Sequence, residues 1–211
     1  PVILALLLNQ LNSLKYKKVI QTVTYAPHFI SDVVLVGMLA LFLSPRSGIV
    51  NQLLKLLGME PILFMGEPGM FRHIYVWSGI WKEMGWSSII YLAALTAVSP
   101  ELHEAAIIDG ATKIQRIRHI DLPSILPTIT IMFILRMGSI MNVSFEKIFL
   151  LYNPLTYETA DVISTFVYRK GLLEFSYSYS SAVGLFNSVI NFAFIVISNH
   201  FIRKVNETSL W

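Results

Sequence analysis

Long apolar segments separated by shorter polar stretches dominate the chain. A helix needs about 20 mostly apolar residues to cross a bilayer. Four segments reach that length: residues 19–43, 74–98, 123–143 and 180–202. The first two contain polar interruptions, which spanning helices tolerate where they face protein or a water-filled cavity. The pattern therefore predicts an all-α membrane protein, a helical bundle with about four complete spans.

A further apolar run opens the chain at residues 1–8, but it is too short to span a membrane. It lacks the charged start and the cleavage site of a signal peptide. We interpret it as the end of an earlier span and expect the chain to be truncated at its N-terminus. Because neither repeats nor a low-complexity linker divides the sequence, we expect residues 1–211 to form one transmembrane domain.

Composition supports a lipid environment. Apolar residues make up 55% of the chain and charged residues 14%, whereas soluble domains carry about 25% charged residues. The absence of cysteine excludes disulfides, thiolate metal sites and thiol catalysis. The net charge of +3 is small, and no basic patch with stacking aromatic residues is present, so we expect no nucleic-acid partner.

The placement of lysine and arginine predicts the orientation in the membrane. Residues 44–73 and 144–179 are longer segments in which basic and acidic residues are mixed. Basic residues are concentrated in the short segments of the opposite side: Lys15, Lys17, Lys18, Lys113, Arg116, Arg118, Arg203 and Lys204. We therefore expect loop 99–122 and the C-terminus to lie in the cytoplasm.

The two outer segments contain their own helical patterns. An apolar stripe at residues 51–57, ended by Gly58, predicts an interfacial helix. Residues 156–170 predict an amphipathic helix that Gly171 stops.

Loop 99–122 has the signals of two short helices. Ser99 is a hydroxyl cap followed by proline and an acid, which starts a helix over residues 101–109. Gly110 permits a sharp turn, and a second helix is predicted over residues 112–120. Leu122-Pro123 is expected to end that helix and to open the next span. The result is a helix–glycine–helix element on the cytoplasmic face.

The spacing within this loop resembles the EAA loop of permease subunits of type I ABC importers. The match consists of Glu104-Ala105-Ala106, three residues, Gly110, nine residues, Ile120, one residue and Leu122-Pro123. Asp109, Ala111 and Pro127 also agree with the commonest form, and Ile117 stands where many members have phenylalanine.

In that family the loop docks into a cleft of the ATPase subunit. The resemblance implies that one set of residues couples this chain to an ATPase: Glu104, Ala105, Ala106, Asp109, Gly110, Ala111, Ile117, Leu122 and Pro123. The alternative is an ordinary cytoplasmic hairpin in which Glu104 is merely solvated.

Other segments resemble the carbohydrate-uptake branch of these importers. Residues 80–85 and 91–95 are similar to sugar permeases, and residues 145–147, 151–165 and 207–211 to the subgroup that handles oligo- and polysaccharides. The resemblance implies a bacterial inner-membrane importer in which an extracytoplasmic solute-binding protein delivers the saccharide. A second homologous permease would complete a heterodimeric pore, and two ATPase subunits would bind ATP and Mg²⁺, so this chain would need no cofactor.

Charged residues within spans require a physical reason, because their insertion is costly. Arg136 lies near the middle of the third span. It either lines a cavity, where a guanidinium suits sugar hydroxyls or a uronate carboxylate, or forms an ion pair in the bundle. Asp32 and Glu83 are the possible partners in that second case.

Polar and aromatic residues near the outer end of the second span form a second candidate site. Lys82 and Glu83 are flanked by Trp77, Trp81 and Trp86, which could form a platform for sugar rings. The alternative is an interfacial tryptophan belt with a snorkelling lysine.

The last span carries a polar stripe at helical spacing: Ser180, Gly184, Asn187, Asn191 and Ser198. Such a face either packs against other helices or contacts substrate. Asn142 and Glu146, at the outer end of the third span, are candidates for contact with sugar or binding protein.

Sequence motifs for catalysis and metal binding are absent. No His-Glu-x-x-His pattern, glycine-rich phosphate loop or Walker sequence occurs. We therefore expect a non-catalytic permease subunit without a metal. The rival hypothesis is a polytopic membrane enzyme that acts on lipid or glycan, with Asp32, Arg136 and Glu146 in its site.

Overall fold

A computed structural model describes residues 1–206, and every regular element among them is helical. This confirms the predicted all-α class. The α-helices are, in chain order, α1 (Val2–Asn9), α2 (Leu14–Tyr25), α3 (Asp32–Phe42), α4 (Ile49–Leu56), α5 (Pro68–Glu83), α6 (Ile89–Thr96), α7 (Pro100–Ile108), α8 (Lys113–Arg116), α9 (Leu122–Met137), α10 (Phe145–Leu151), α11 (Tyr157–Ala160), α12 (Ile163–Tyr168) and α13 (Tyr177–Asn206).

Two continuous helical stretches are long and apolar enough to cross a bilayer. They are Lys113–Met137, with 25 residues, and Tyr177–Lys204, with 28 residues, and they correspond to the third and fourth predicted spans. The stretches Leu14–Phe29 and Asp32–Phe42 pass the same test only as a bent pair, as in a broken span or a re-entrant loop. The described residues thus contain two such helices, or three if the bent pair counts as one span.

The polar interruptions of the first two predicted spans coincide with breaks in the helices. In the first, the Ser31 hydroxyl accepts a hydrogen bond from the Val34 amide at 3.3 Å and caps the start of α3. In the second, α5 ends at Glu83, and a 3-10 turn at Trp86–Ser88 precedes α6. The buried Ser88 hydroxyl donates to the Gly85 carbonyl at 2.6 Å. Residues 74–98 therefore contain two helices instead of one.

The expected helix end at Leu122-Pro123 is wrong. A π turn at Ile117–Asp121 joins α8 to α9, so that the helix continues to Met137. Proline has no amide hydrogen and disrupts the interior of an α-helix. Here Pro123 falls in the first turn of α9, directly after the wider π turn, where a missing donor is tolerated.

The single amphipathic helix expected at residues 156–170 is also wrong. The structure has α11 and α12 with extended backbone at Asp161 and Val162 between them. The Thr165 hydroxyl donates to Asp161 Oδ1 at 2.6 Å, and its oxygen accepts from the Val162 amide at 3.0 Å. These local bonds start a new helix in place of continuing the first. Gly171 lies inside a π turn, Arg169–Leu173, and does not end the segment.

The described residues form two compact units. The first contains residues 1–28, 81–141 and 188–206. Helices α1, α6 and α9 supply its apolar core, and each contributes side chains that are almost fully buried: Ala5, Leu8, Tyr91, Leu92, Leu95 and Ile125.

The second unit contains residues 29–80 and 142–187. Its apolar core consists of Val36, Phe71, Ile148, Leu151 and Ala160.

Polar side chains are also buried in the second unit. The predicted helix at residues 51–57 is confirmed as α4 and places Asn51 inside, with 1% of the residue exposed. Asn51 Nδ2 donates to the carbonyls of Leu43, Ser44 and Ile62 at 3.0–3.2 Å. Its Oδ1 accepts from the Ile62 amide at 2.8 Å. One side chain thus satisfies four backbone groups that join the start of α4 to the segments on either side.

Asn51→Ala should lower the free energy of unfolding by about 2 kcal/mol or more, because each buried group left unpaired costs about 1–3 kcal/mol. Thermal unfolding of the detergent-solubilised protein measures the change. The neighbouring Gln52→Ala is the matched control, since Gln52 is exposed and, among residues 1–206, its side chain donates only to the Ser47 carbonyl at 3.1 Å. Equal effects of the two substitutions would contradict the structural role of Asn51.

Candidate functional site

Loop 99–122 contains the predicted helix–glycine–helix turn, but only α7 is a separate short helix, because α8 continues into the stretch that ends at Met137. The Ser99 hydroxyl accepts from the Glu101 amide at 3.3 Å, and Pro100 is the first residue of α7. Gly110 has φ +78°, a conformation that side chains disfavour. The Ala111 amide donates to the Ala106 carbonyl at 2.8 Å and closes the end of α7. The loop is therefore an ordered element.

Most of the predicted coupling residues are exposed. Glu104, Ala105, Asp109, Gly110, Leu122 and Pro123 are exposed, whereas Ala106, Ala111 and Ile117 are half-buried. Large apolar side chains on the same loop are exposed too: Leu102 53%, Ile107 55%, Ile108 85% and Ile114 77%. An exposed apolar cluster on a short loop is typical of a surface that another protein covers.

Asp121 is the residue of this loop that the sequence analysis missed. It is fully buried, with 0% of the residue exposed. Gln10 Nε2 donates to its Oδ2 at 2.8 Å, and Asn9 Nδ2 donates to its Oδ1 at 3.5 Å. His103 Nε2 lies 3.3 Å from Oδ1. The signal in the sequence is a carboxylate directly before an apolar span, but its hydrogen-bond donors are more than 100 residues away along the chain.

Two residues predicted near the outer end of the second span lie together with a histidine. His28 Nδ1 is 3.1 Å from Glu83 Oε2, and the His28 ring stacks on Trp86 with centroids 4.5 Å apart. Trp86 and Trp81 are 44% and 42% exposed. Lys82 is half-buried. His28 therefore contacts Glu83 and Trp86, while both tryptophans remain partly exposed.

Arg136 lies in the last turn of α9, and its side chain is exposed. No ion pair of Arg136 occurs among residues 1–206. The carboxylates proposed as its partners bond elsewhere, Glu83 to His28 and Asp32 to the Ser144 hydroxyl at 3.4 Å. The structure therefore favours an accessible guanidinium over a bundle ion pair.

The polar stripe of α13 divides into two kinds of contact. Asn191 is buried, and its Oδ1 accepts from the Met141 amide at 3.3 Å, which is a structural bond. Asn187 Nδ2 donates to Asn142 Oδ1 at 3.1 Å, in a part-exposed pair. The Asn187 oxygen has no hydrogen-bond partner among the described residues. Asn142 and Asn187 are therefore paired with each other, and Asn142 is the more exposed of the two, whereas Asn191 is buried.

Lys147 is a second buried, charged side chain that was not among the predicted site residues. It is 4% exposed. Its Nζ donates to the Tyr75 carbonyl at 2.9 Å and lies 4.6 Å from the Tyr75 ring centroid. These contacts hold α10 against α5. Glu146, the neighbouring candidate, is exposed.

A bidentate ion pair fixes the outer segment that follows α11. Arg169 Nη1 and Nη2 lie 2.8 and 2.6 Å from the two oxygens of Asp161. These hydrogen bonds hold the pKa of the Asp161 carboxyl below its ordinary value, although partial burial opposes the shift. The guanidinium also lies over the Tyr157 ring, 5.4 Å from its centroid. The segment from α11 to the π turn is therefore a preformed polar surface.

Among the described residues, no three His, Cys, Asp or Glu side chains come together in a way that could hold a metal ion. The predicted resemblance of residues 207–211 lies outside the described residues.

A comparison with protein-family models matches residues 2–207 to one family, the binding-protein-dependent transport system inner membrane component. Two proteins of Bacillus subtilis (strain 168) are similar along the whole chain. Protein LplB is 43% identical over 211 residues, which are 100% of this chain and 66% of LplB. The polygalacturonan/rhamnogalacturonan transport system permease protein YteP is 39% identical, with the same coverage. The chain spans about two thirds of the length of these curated relatives.

Solved structures are similar as well. A chain in the crystal structure of a bacterial alginate ABC transporter, in complex with alginate pentasaccharide-bound periplasmic protein, is 46% identical with a TM-score of 0.96. The match covers 100% of this chain and 73% of that one. A chain of a bacterial ABC transporter involved in the import of the acidic polysaccharide alginate is 47% identical, with a TM-score of 0.94 over 98% of this chain and 72% of that one.

Proposed function

Because the chain belongs to the family of binding-protein-dependent transport system inner membrane components, we propose that it is a pore-forming permease subunit of an ATP-driven importer of oligo- or polysaccharides. The family predicted from the EAA-like spacing is thereby confirmed. The rival hypothesis of a membrane enzyme is not pursued, because the relatives described above are transport components.

The observation that carries the proposal is the exposed helix–glycine–helix loop. Glu104 and the apolar side chains around it lie on the surface of α7, and Gly110 holds the turn to α8. From α8 the chain continues without a break into the spanning helix that ends at Met137. Movement of an ATP-binding subunit docked on this loop would therefore reach the membrane part directly.

The proposal includes the partners of such an importer. Two ATP-binding subunits hold ATP and Mg²⁺, and one of them docks on loop 99–122 of this chain. A second, homologous permease completes a heterodimeric pore, and a solute-binding protein delivers the saccharide at the opposite face. The chain then lies in the bacterial inner membrane as a multi-pass protein, with loop 99–122 and the C-terminus in the cytoplasm. Closure of the ATP-binding subunits switches the bundle between outward- and inward-facing states.

The candidates for substrate contact favour an acidic saccharide. Arg136 is a cation without an ion pair among the described residues, and guanidinium groups bind carboxylates through paired hydrogen bonds. The similar structures belong to alginate transporters. The exposed aromatic faces of Trp81 and Trp86 would contact sugar rings. Sugar hydroxyls would be contacted by polar side chains, namely Lys82, Glu83, Asn142 and Asn187. We assign Asn191 to helix packing instead.

Gly110→Pro should abolish docking of the ATP-binding subunit and ATP-dependent uptake in the reconstituted transporter. Proline fixes φ at about −65°, which is incompatible with the φ of +78° at Gly110. It also removes the amide that donates to Ile107 at 3.0 Å. Glu104→Lys should have the same effect by reversing a charge on the docking surface. Co-purification of the ATP-binding subunit and stimulated ATP hydrolysis are the measurements.

Gly58→Pro is the matched control. Gly58 has φ +76°, and its amide donates to the Lys55 carbonyl, also at 3.0 Å, but it lies in the second unit. We expect this variant to bind the ATP-binding subunit as the parent does. The docking role would be refuted if the Gly110 and Glu104 variants kept both transport and stimulated hydrolysis.

Arg136→Ala should raise the apparent KM for acidic oligosaccharides about tenfold or more, because a hydrogen bond to a charged group contributes about 1.5–3 kcal/mol. Uptake of neutral oligosaccharides should change much less. Arg136→Lys keeps the charge but lacks the planar guanidinium. Its apparent KM for acidic oligosaccharides should therefore lie between those of the parent and Arg136→Ala. Lys55→Ala removes an exposed basic residue of α4 and serves as the charge control. Equal losses for acidic and neutral substrates would exclude a specific carboxylate contact.

A further inference from the structure

The buried carboxylate of Asp121 lies where three separate segments of the first unit meet. Its donors are Gln10 and Asn9, at the end of α1, and its third neighbour is His103, on α7. Asp121 itself is the last residue of the π turn that leads into α9. One side chain therefore joins an apolar core helix, the docking helix and the start of a spanning helix.

Because the Asp121 carboxylate is buried, it requires particular partners that replace its hydration. A carboxylate removed from water is strongly unfavourable unless hydrogen bonds replace its hydration. With 0% of Asp121 exposed, Gln10 and Asn9 supply hydrogen bonds to it, and His103 Nε2 lies within ion-pair distance of its Oδ1 at 3.3 Å. Separation of any of the three segments from Asp121 would leave the carboxylate undersolvated, so the segments are held in one arrangement.

The contact also joins α7 to the start of α9 by a route that does not follow the covalent chain. Between α7 and α8 the backbone turns at Gly110, where φ is +78°. His103 is adjacent to Glu104 on α7, and its ring reaches Asp121 directly, on the far side of the turn.

We propose that Asp121 is a positioning residue that couples the docking helix α7 to the spanning helix α9 through His103. It does not touch the ATP-binding subunit, because it is buried beneath the loop. Its role is to make α7 and α9 move as one body when that subunit closes. The inference rests on the proposed importer function and adds the residues that transmit the movement.

Variants in the complete reconstituted transporter test this role through the ratio of saccharide imported to ATP hydrolysed. Asp121→Asn and His103→Leu should lower that ratio about 5-fold or more, while the ATP-binding subunits still co-purify and hydrolyse ATP. His103→Gln keeps a side-chain donor, so its ratio should be higher than that of His103→Leu. A loss of packing alone would not explain such a difference. In the double variant Asp121→Asn with His103→Leu, the second change should add little to the first.

His73→Leu is the matched control. His73 is an exposed imidazole on α5, in the second unit and outside loop 99–122. This variant should import as much saccharide per ATP as the parent.

The inference is overturned if Asp121→Asn and His103→Leu keep the parental ratio. It is also overturned if both lose the ATP-binding subunit, since the contact would then serve folding or docking only. If Asp121→Asn alone fails to assemble, His103→Leu decides, because it leaves Asp121 with Gln10 and Asn9. Failure of the proposed importer function would differ from all of these outcomes, because the unmutated transporter would then show no ATP-dependent uptake.

Discussion

The burial of one carboxylate, Asp121, sets the arrangement of the first unit. A charge in a low-dielectric interior is tolerated only where partners compensate it. Here the hydrogen-bond donors come from the end of α1, and the imidazole of His103 on α7 lies within ion-pair distance. The apolar core formed by α1, α6 and α9 lies in the same unit. Packing thus brings the helices together, whereas the carboxylate fixes their positions relative to the loop.

From Asp121 the proposed coupling path continues along a single helix, α9. Asp121 precedes α9, and Arg136 lies in its last turn. Fifteen residues at a rise of about 1.5 Å each separate the two side chains by about 22 Å along the axis, which is most of the thickness of a bilayer core. A displacement of α7 would therefore be carried toward the candidate saccharide contact along one helix, which contains Pro127 in its interior. The exposed apolar side chains of the loop lie at the other end of this proposed path.

Local rules predicted the parts of the structure that depend on neighbouring residues. The cap at Ser99 and the turns at Gly58 and Gly110 follow from side-chain and backbone chemistry within a few positions. The end expected at Pro123 was wrong because a π turn accommodates the proline, and the helix over 156–170 was wrong because Thr165 starts a new one. Asp121 and Lys147 were not identified as key residues, since Asn9, Gln10 and Tyr75 are distant from them in sequence and only the folded chain brings them together.

The docking of an ATP-binding subunit on the exposed loop is the central claim, and cysteine cross-linking tests it most directly. These 211 residues contain no cysteine, so Ile108→Cys, at a residue that is 85% exposed, introduces the one thiol among them. Leu56→Cys, at a residue that is 83% exposed in the second unit, is the control. In the assembled transporter, a thiol-directed photo-cross-linker should join position 108, and not position 56, to the ATP-binding subunit, with a yield that changes when ATP binds. Absence of that product at position 108, or an equal yield at position 56, would contradict the account.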